Sequence, residues 1–139
     1  MHAVRLAFLA ILAWPVPAPT VAQAPEIVVR GDIARVEIER ILGADNVDTF
    51  KLRPREVADL IAQIPRRRAP QDFWSAYRAH VQAWQRLADA TETARHGSVS
   101  TDIEAVAEAI DTTFDEVERI ARRYGAQLPL PVGRRLPTV

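Results

Sequence analysis

The chain contains no cysteine. Without a thiol it can form no disulfide, offer no thiolate to zinc or to an iron–sulfur cluster, use no cysteine nucleophile and attach no haem through C-x-x-C-H. Methionine occurs once, as Met1, which also removes haem held between histidine and methionine. Lysine occurs once, as Lys51, and every other basic side chain is an arginine. With 18 basic and 18 acidic residues the formal net charge is zero, so no overall positive field points to nucleic acid as a partner. Histidine is scarce, and His80 and His96 stand sixteen residues apart on one expected helix. That is about 24 Å by helical rise, too far to share an ion. No G-x-S-x-G, H-E-x-x-H, P-loop or Rossmann glycine pattern occurs. Ser75, Ser98 and Ser100 have no evident base partner. The reading is therefore of no catalytic residue, no metal site and no cofactor.

Long apolar runs are also few. The run from Leu6 to Trp14, after Arg5, is nine residues, whereas a helix needs about 20 to cross a bilayer of roughly 30 Å. It fits the h-region of a signal peptide. Prolines and small residues follow in "PVPAPTVAQA". The expectation is a signal peptide over residues 1–22, with cleavage after Ala24 as the alternative. The destination is then the periplasm or the medium. No second apolar span follows, so the mature chain has no expected transmembrane segment, and no cysteine follows to carry a lipid anchor.

What the chain does have is helical patterning. Residues 23–31, with "PEIVVRG", read as an extended arm, and Asp32 as the N-cap of a first helix. That helix is expected from Ile33 to Leu42, stopping at Gly43. A second starts at Pro54, carries the stripe Val57, Leu60, Ile61 and Ile64, and ends by Pro65. A third opens at Pro70 and frays near Arg95, with Gly97 as its stop. A fourth begins from a capping box, Thr101 with Glu104, and shows the stripe Ile103, Val106, Ala107, Ile110, Phe114, Val117, Ala121 and Tyr124 before Gly125. The fold class is all-α: residues 32–125 form a small antiparallel bundle of two short and two long helices. Residues 126–139 form a proline-rich tail, expected to be extended or poorly ordered.

Three features merit a functional reading. "FWSAYRAHVQAW" places Phe73, Tyr77, His80 and Trp84 within an arc of roughly 80° at 100° per residue. Such a stripe is first of all a core face. His80 is then a neutral core histidine, hydrogen-bonded through one ring nitrogen, unless Glu37 compensates its charge. The same stretch could line a ligand pocket made of Trp74, Tyr77, His80 and Trp84. Secondly, Arg66, Arg67 and Arg68, with Arg134 and Arg135, could meet an anionic surface, although a solvated loop suffices to explain them. Thirdly, Glu104, Glu108, Asp111, Asp115 and Glu118 make an acidic strip that could pair with Arg66–Arg68, without the loop grammar of a calcium site.

In size and address the chain resembles the exported four-helix cytochromes, but it lacks their haem-attachment motif and any usable methionine. The resemblance is one of architecture and carries no function. The sequence thus reads as an exported bacterial helical protein, a non-catalytic interaction module of the cell envelope whose partner is another envelope protein. The alternative is a small-ligand carrier with its pocket at the aromatic stretch.

Overall fold

Four backbone signals set most helix ends. Pro54 stands first in α2 (Pro54–Ala62), where its missing N–H needs no partner. The Glu56 carboxylate accepts the free N–H of the preceding Arg53 at 2.8 Å. Gly97, at φ +72°, follows α3 (Gln71–Arg95). Gly125, at φ +70°, follows α4 (Ile103–Arg123). There its N–H reaches the Arg122 carbonyl and that of Ala126 the Ala121 carbonyl, a Schellman closure that turns the chain back on itself. The computed structural model describes residues 24–97 and 102–132, with side chains from Arg30 onward. Residues 1–22, expected to be a signal peptide, and Thr101, Arg134 and Arg135 lie outside the described residues. The described residues are all-helical, in four helices with no strand. None of these helices is long and apolar enough to cross a membrane.

The first helix departs most from expectation. α1 runs over Ala24–Asp45, so the arm expected at 23–31 is helical from Ala24. Pro25 sits in its first turn, the part of a helix that tolerates proline. Asp32 is therefore no cap; it lies inside the helix, 3.7 Å from Arg35. Gly43 does not stop α1 either. Leu42 is buried and Asp45 accepts a hydrogen bond from Tyr77, so tertiary anchors on both sides of the glycine outweigh its cost of about 1 kcal/mol in a helix. Three helices are long and one short, rather than two of each.

The other helices keep the expected faces in part. In α2, Val57, Ala58 and Ile61 are buried while Leu60 is exposed, and Ile64 falls beyond the helix end. Pro70 precedes α3 as its N-cap rather than its first residue. Packed between α2 and α4, α3 buries Phe73, Tyr77 and His80, and also Ala83, Ala88 and Ala90, whose small side chains let neighbouring backbones come near. In α4 the cap is Asp102, which accepts from the Ala105 N–H at 3.1 Å.

Burial along the α4 stripe is uneven. Val117, Ile120 and Ala121 are buried, but Val106, Ile110 and Phe114 are only partly covered. The continuous core thus sits towards one end of the helices, where Ile38, Ile41 and Leu42 of α1 meet Phe73, Tyr77, Val117 and Ala121. Polar contacts tie the helix ends together. Arg55 at the start of α2 meets Glu92 near the end of α3 at 2.9 Å. Tyr124, just past α4, donates to Asp72 at the start of α3 at 2.9 Å.

The C-terminal segment is extended but docked. Ala126 is buried and Leu128 packs on the core. The Gln127 N–H donates to Glu39 at 3.0 Å. The Asn46 side-chain amide donates to the Leu130 carbonyl at 2.8 Å and accepts the Val132 N–H at 3.3 Å. Residues 126–132 therefore lie along α1 as a strap, extended as the prolines imply and docked as they do not.

Candidate functional site

The imidazole of His80 meets Thr113 of α4. Thr113 is oriented by its own helix, its hydroxyl lying 2.7 Å from the Ala109 carbonyl and 3.0 Å from that of Ile110. Its hydroxyl also lies 3.2 Å from His80 Nδ1, a hydrogen bond whose donor depends on the ring tautomer. The ring is 3% exposed. Burial disfavours the imidazolium and pushes its pKa down to about 4, against weaker opposite effects from the Ile110 carbonyl and Asp111. The residue is the neutral, hydrogen-bonded histidine that its helical position implies. Glu37 does not compensate it, being paired with Arg40 at 2.8 Å.

His80 stands where the packed core gives way to open space. On one side Tyr77 is 6.5 Å away, centroid to centroid, and on the other Phe114 is 5.0 Å away. Beyond them lies a cavity of about 510 Å³. α1 contributes Leu42 and Asp45 to it, and α2 contributes Val57 and Ile61. His80 and Trp84 of α3 face Ile110, Asp111, Phe114 and Glu118 of α4. The loop after α1 adds Asn46, Val47, Thr49 and Phe50, and the strap lines a further side with Leu128, Pro129, Pro131 and Val132, leaving the space partly open to solvent. Phe114 belongs to the wall of this space and not to the centre of a filled core.

The four aromatic-stretch residues do not share one pocket. His80 and Trp84, one turn apart, line the large cavity. Trp74 and Tyr77 turn to the α2 side, where with Val81 they border a separate groove of about 190 Å³. Trp74 stacks on Tyr77 at 5.6 Å. Tyr77 is fully buried, and its hydroxyl donates to Asp45 at 3.0 Å, with the Ile61 carbonyl at 3.3 Å. Asp45 is a carboxylate withdrawn from water. Desolvation pushes its pKa up to about 6, and the Tyr77 bond acts the other way.

Arg66, Arg67 and Arg68 are exposed in the α2–α3 loop, where Arg66 donates to the Ala69 carbonyl and Arg67 takes a left-handed backbone at φ 49°. Among the described residues they form no ion pair with the acidic strip. Glu118 pairs instead with Arg122 on its own helix, four residues on. Also among the described residues, no three histidine or acidic side chains converge to hold a metal ion.

Sequence reasoning missed Asp45, Asn46, Phe50 and the strap residues. None lies on a helical stripe. The strap's only signal is the alternation of leucine and proline at Leu128–Pro131, which marks an extended segment with apolar anchors but not its docking place. No protein-family model matches the chain, and no curated protein or solved structure matches it either.

Proposed function

We propose that this chain is an exported, non-catalytic binding protein, a small antiparallel helical bundle that carries one small, largely apolar molecule between its helices and its C-terminal strap. The observation that supports the reading is the cavity. At about 510 Å³ it falls within the roughly 300–1,000 Å³ of small-molecule sites, and mostly apolar walls with a few convergent polar groups are their usual lining. Contacts between opposite ends of neighbouring helices, Arg55 with Glu92 and Tyr124 with Asp72, support the antiparallel arrangement. The cavity supports the carrier reading. Phe50, 92% exposed, and Leu130, 83% exposed, favour a second reading in which an envelope protein docks over this end.

Fluorescence titration with the neutral probe N-phenylnaphthylamine tests the carrier. The expected outcome is saturable binding at one probe per chain, weakened at least tenfold by Ile110→Trp, which fills the cavity from α4. Non-saturable binding, or equal affinity in the filled variant, would reject it. Export is tested separately by mass spectrometry of the protein recovered from the cell envelope. The expected mature N-terminus is Gln23 or Pro25, and a chain retaining Met1 in the cytoplasmic fraction would refute export.

A further inference from the structure

The charged groups of the cavity all carry one sign. Asp45, Asp111 and Glu118 are carboxylates, and no arginine or lysine lines the space. Glu118 has Arg122 at 2.6 Å, but among the described residues no ion pair joins Asp45 or Asp111 to a cation. The Asn46 amide is used on both sides by the strap. What remains beside the neutral Thr49 and His80 is negative charge, next to the aromatic side chains of Trp84, Phe114 and Phe50.

We infer that the ligand of this cavity is an organic ammonium ion: an apolar body that fills the space among Trp84, Ile110 and Phe114, with a protonated amine directed to the Asp45 and Asp111 carboxylates. An ammonium group supplies donors to acceptors that are otherwise short of them. It also gains from aromatic faces within about 6 Å. A carboxylate on the same body would meet like charge and no cation, so the lining selects against anions as well as for cations. Asp45, whose pKa lies at about 6, is predominantly ionised at neutral pH and available for this role.

This inference rests on the carrier reading, and one experiment separates the two. Phenylbutylamine, phenylbutanol and phenylbutanoate share a skeleton and differ in charge. Each would be used at pH 7.5 to displace N-phenylnaphthylamine from the wild-type chain and from Asp111→Asn and Asp45→Asn. The amine is expected to bind about tenfold tighter than the alcohol, with the carboxylate weakest. Asp111, being exposed, can be changed with little risk to the fold. Each substitution should reduce the amine-to-alcohol ratio several-fold, a ratio that a general loss of folded protein would not move. Equal affinity for amine and alcohol, with the probe still bound, overturns the inference and leaves the carrier standing. An amine preference that persists in Ile110→Trp marks attraction to the surface alone and also overturns it. Absence of probe binding to wild type removes the carrier reading and this inference with it.

Discussion

Tyr77→Ala is expected to cost about 3–5 kcal/mol of stability, in the range of deleting a buried aromatic side chain. That is a large share of the roughly 5–15 kcal/mol available to a natural domain. The ring is 0% exposed and lies between Phe73, at 6.3 Å, and Trp74, at 5.6 Å. Its hydroxyl connects three helices: it belongs to α3, donates to Asp45 of α1 at 3.0 Å and has the Ile61 carbonyl of α2 at 3.3 Å. Tyr77→Phe separates packing from hydrogen bonding. The ring remains, but the desolvated Asp45 carboxylate loses its donor, for about 1–3 kcal/mol. Urea unfolding followed by far-UV circular dichroism measures both. A change below about 0.5 kcal/mol in Tyr77→Ala, the value of an exposed site, would contradict this placement of the α3 face.

The second large effect lies in the pH dependence, where two buried groups oppose each other. His80 has a folded pKa of about 4, below its ordinary 6.5. Between those values the unfolded chain binds the proton and the folded one does not. Its contribution is thus complete above pH 6.5 and lost as pH falls towards 4. Asp45 has a folded pKa of about 6, above its ordinary 3.8. Here the folded chain holds the proton more tightly, so stability is gained as pH falls through 6 and lost as it rises. At about 1.4 kcal/mol per unit, each shift is on the order of 3 kcal/mol, with Asp45 somewhat less because it is only half-buried. Wild-type stability should therefore change little between pH 6.5 and 4.

Asp45→Asn removes one side of this balance. Asparagine still accepts from Tyr77 but carries no charge. The variant should be more stable than wild type at pH 7 by about 2 kcal/mol, and should lose about 3 kcal/mol on acidification from pH 6.5 to 4. His80→Leu should show the reverse slope, gaining stability over the same interval. Asp48, Glu56, Glu92 and Glu116 have lowered pKa values through arginine or lysine partners. They are partly exposed and lose their small contributions mainly below their ordinary values, near pH 4, so they leave the slopes above that largely intact. Urea titrations at half-unit intervals distinguish these profiles. Parallel curves for wild type, Asp45→Asn and His80→Leu would refute burial of both groups.

The local chemistry of single residues made much of the fold legible. Pro54, Gly97 and Gly125 mark helix ends because each acts on backbone dihedrals or on a missing N–H, effects that need no distant partner. The stripes of α3 and α4 are readable for a similar reason, since 3.6 residues per turn sets which side chains share a face. His80 as a buried neutral histidine follows from its angular place beside Phe73 and Tyr77.

Periodicity gives an angle around an axis, but not what lies across from it. The single stripe of α3 meets two different neighbours, so Tyr77 and Trp74 face α2 while His80 and Trp84 face the cavity. α1 passes through Gly43 because Leu42 and Asp45 find partners far away in sequence, and no local propensity records that. The strap holds to Glu39 and Asn46 by bonds spanning more than eighty residues. The sequence by itself determined the helical class, most helix ends and the apolar faces, because these depend on dihedral preferences and side-chain spacing within a few turns. Only the tertiary structure decided that a cavity exists and that its polar lining is acidic. That space is what the four helices, the loop after α1 and the strap leave unfilled when their side-chain volumes do not match, a difference that arises only after they meet.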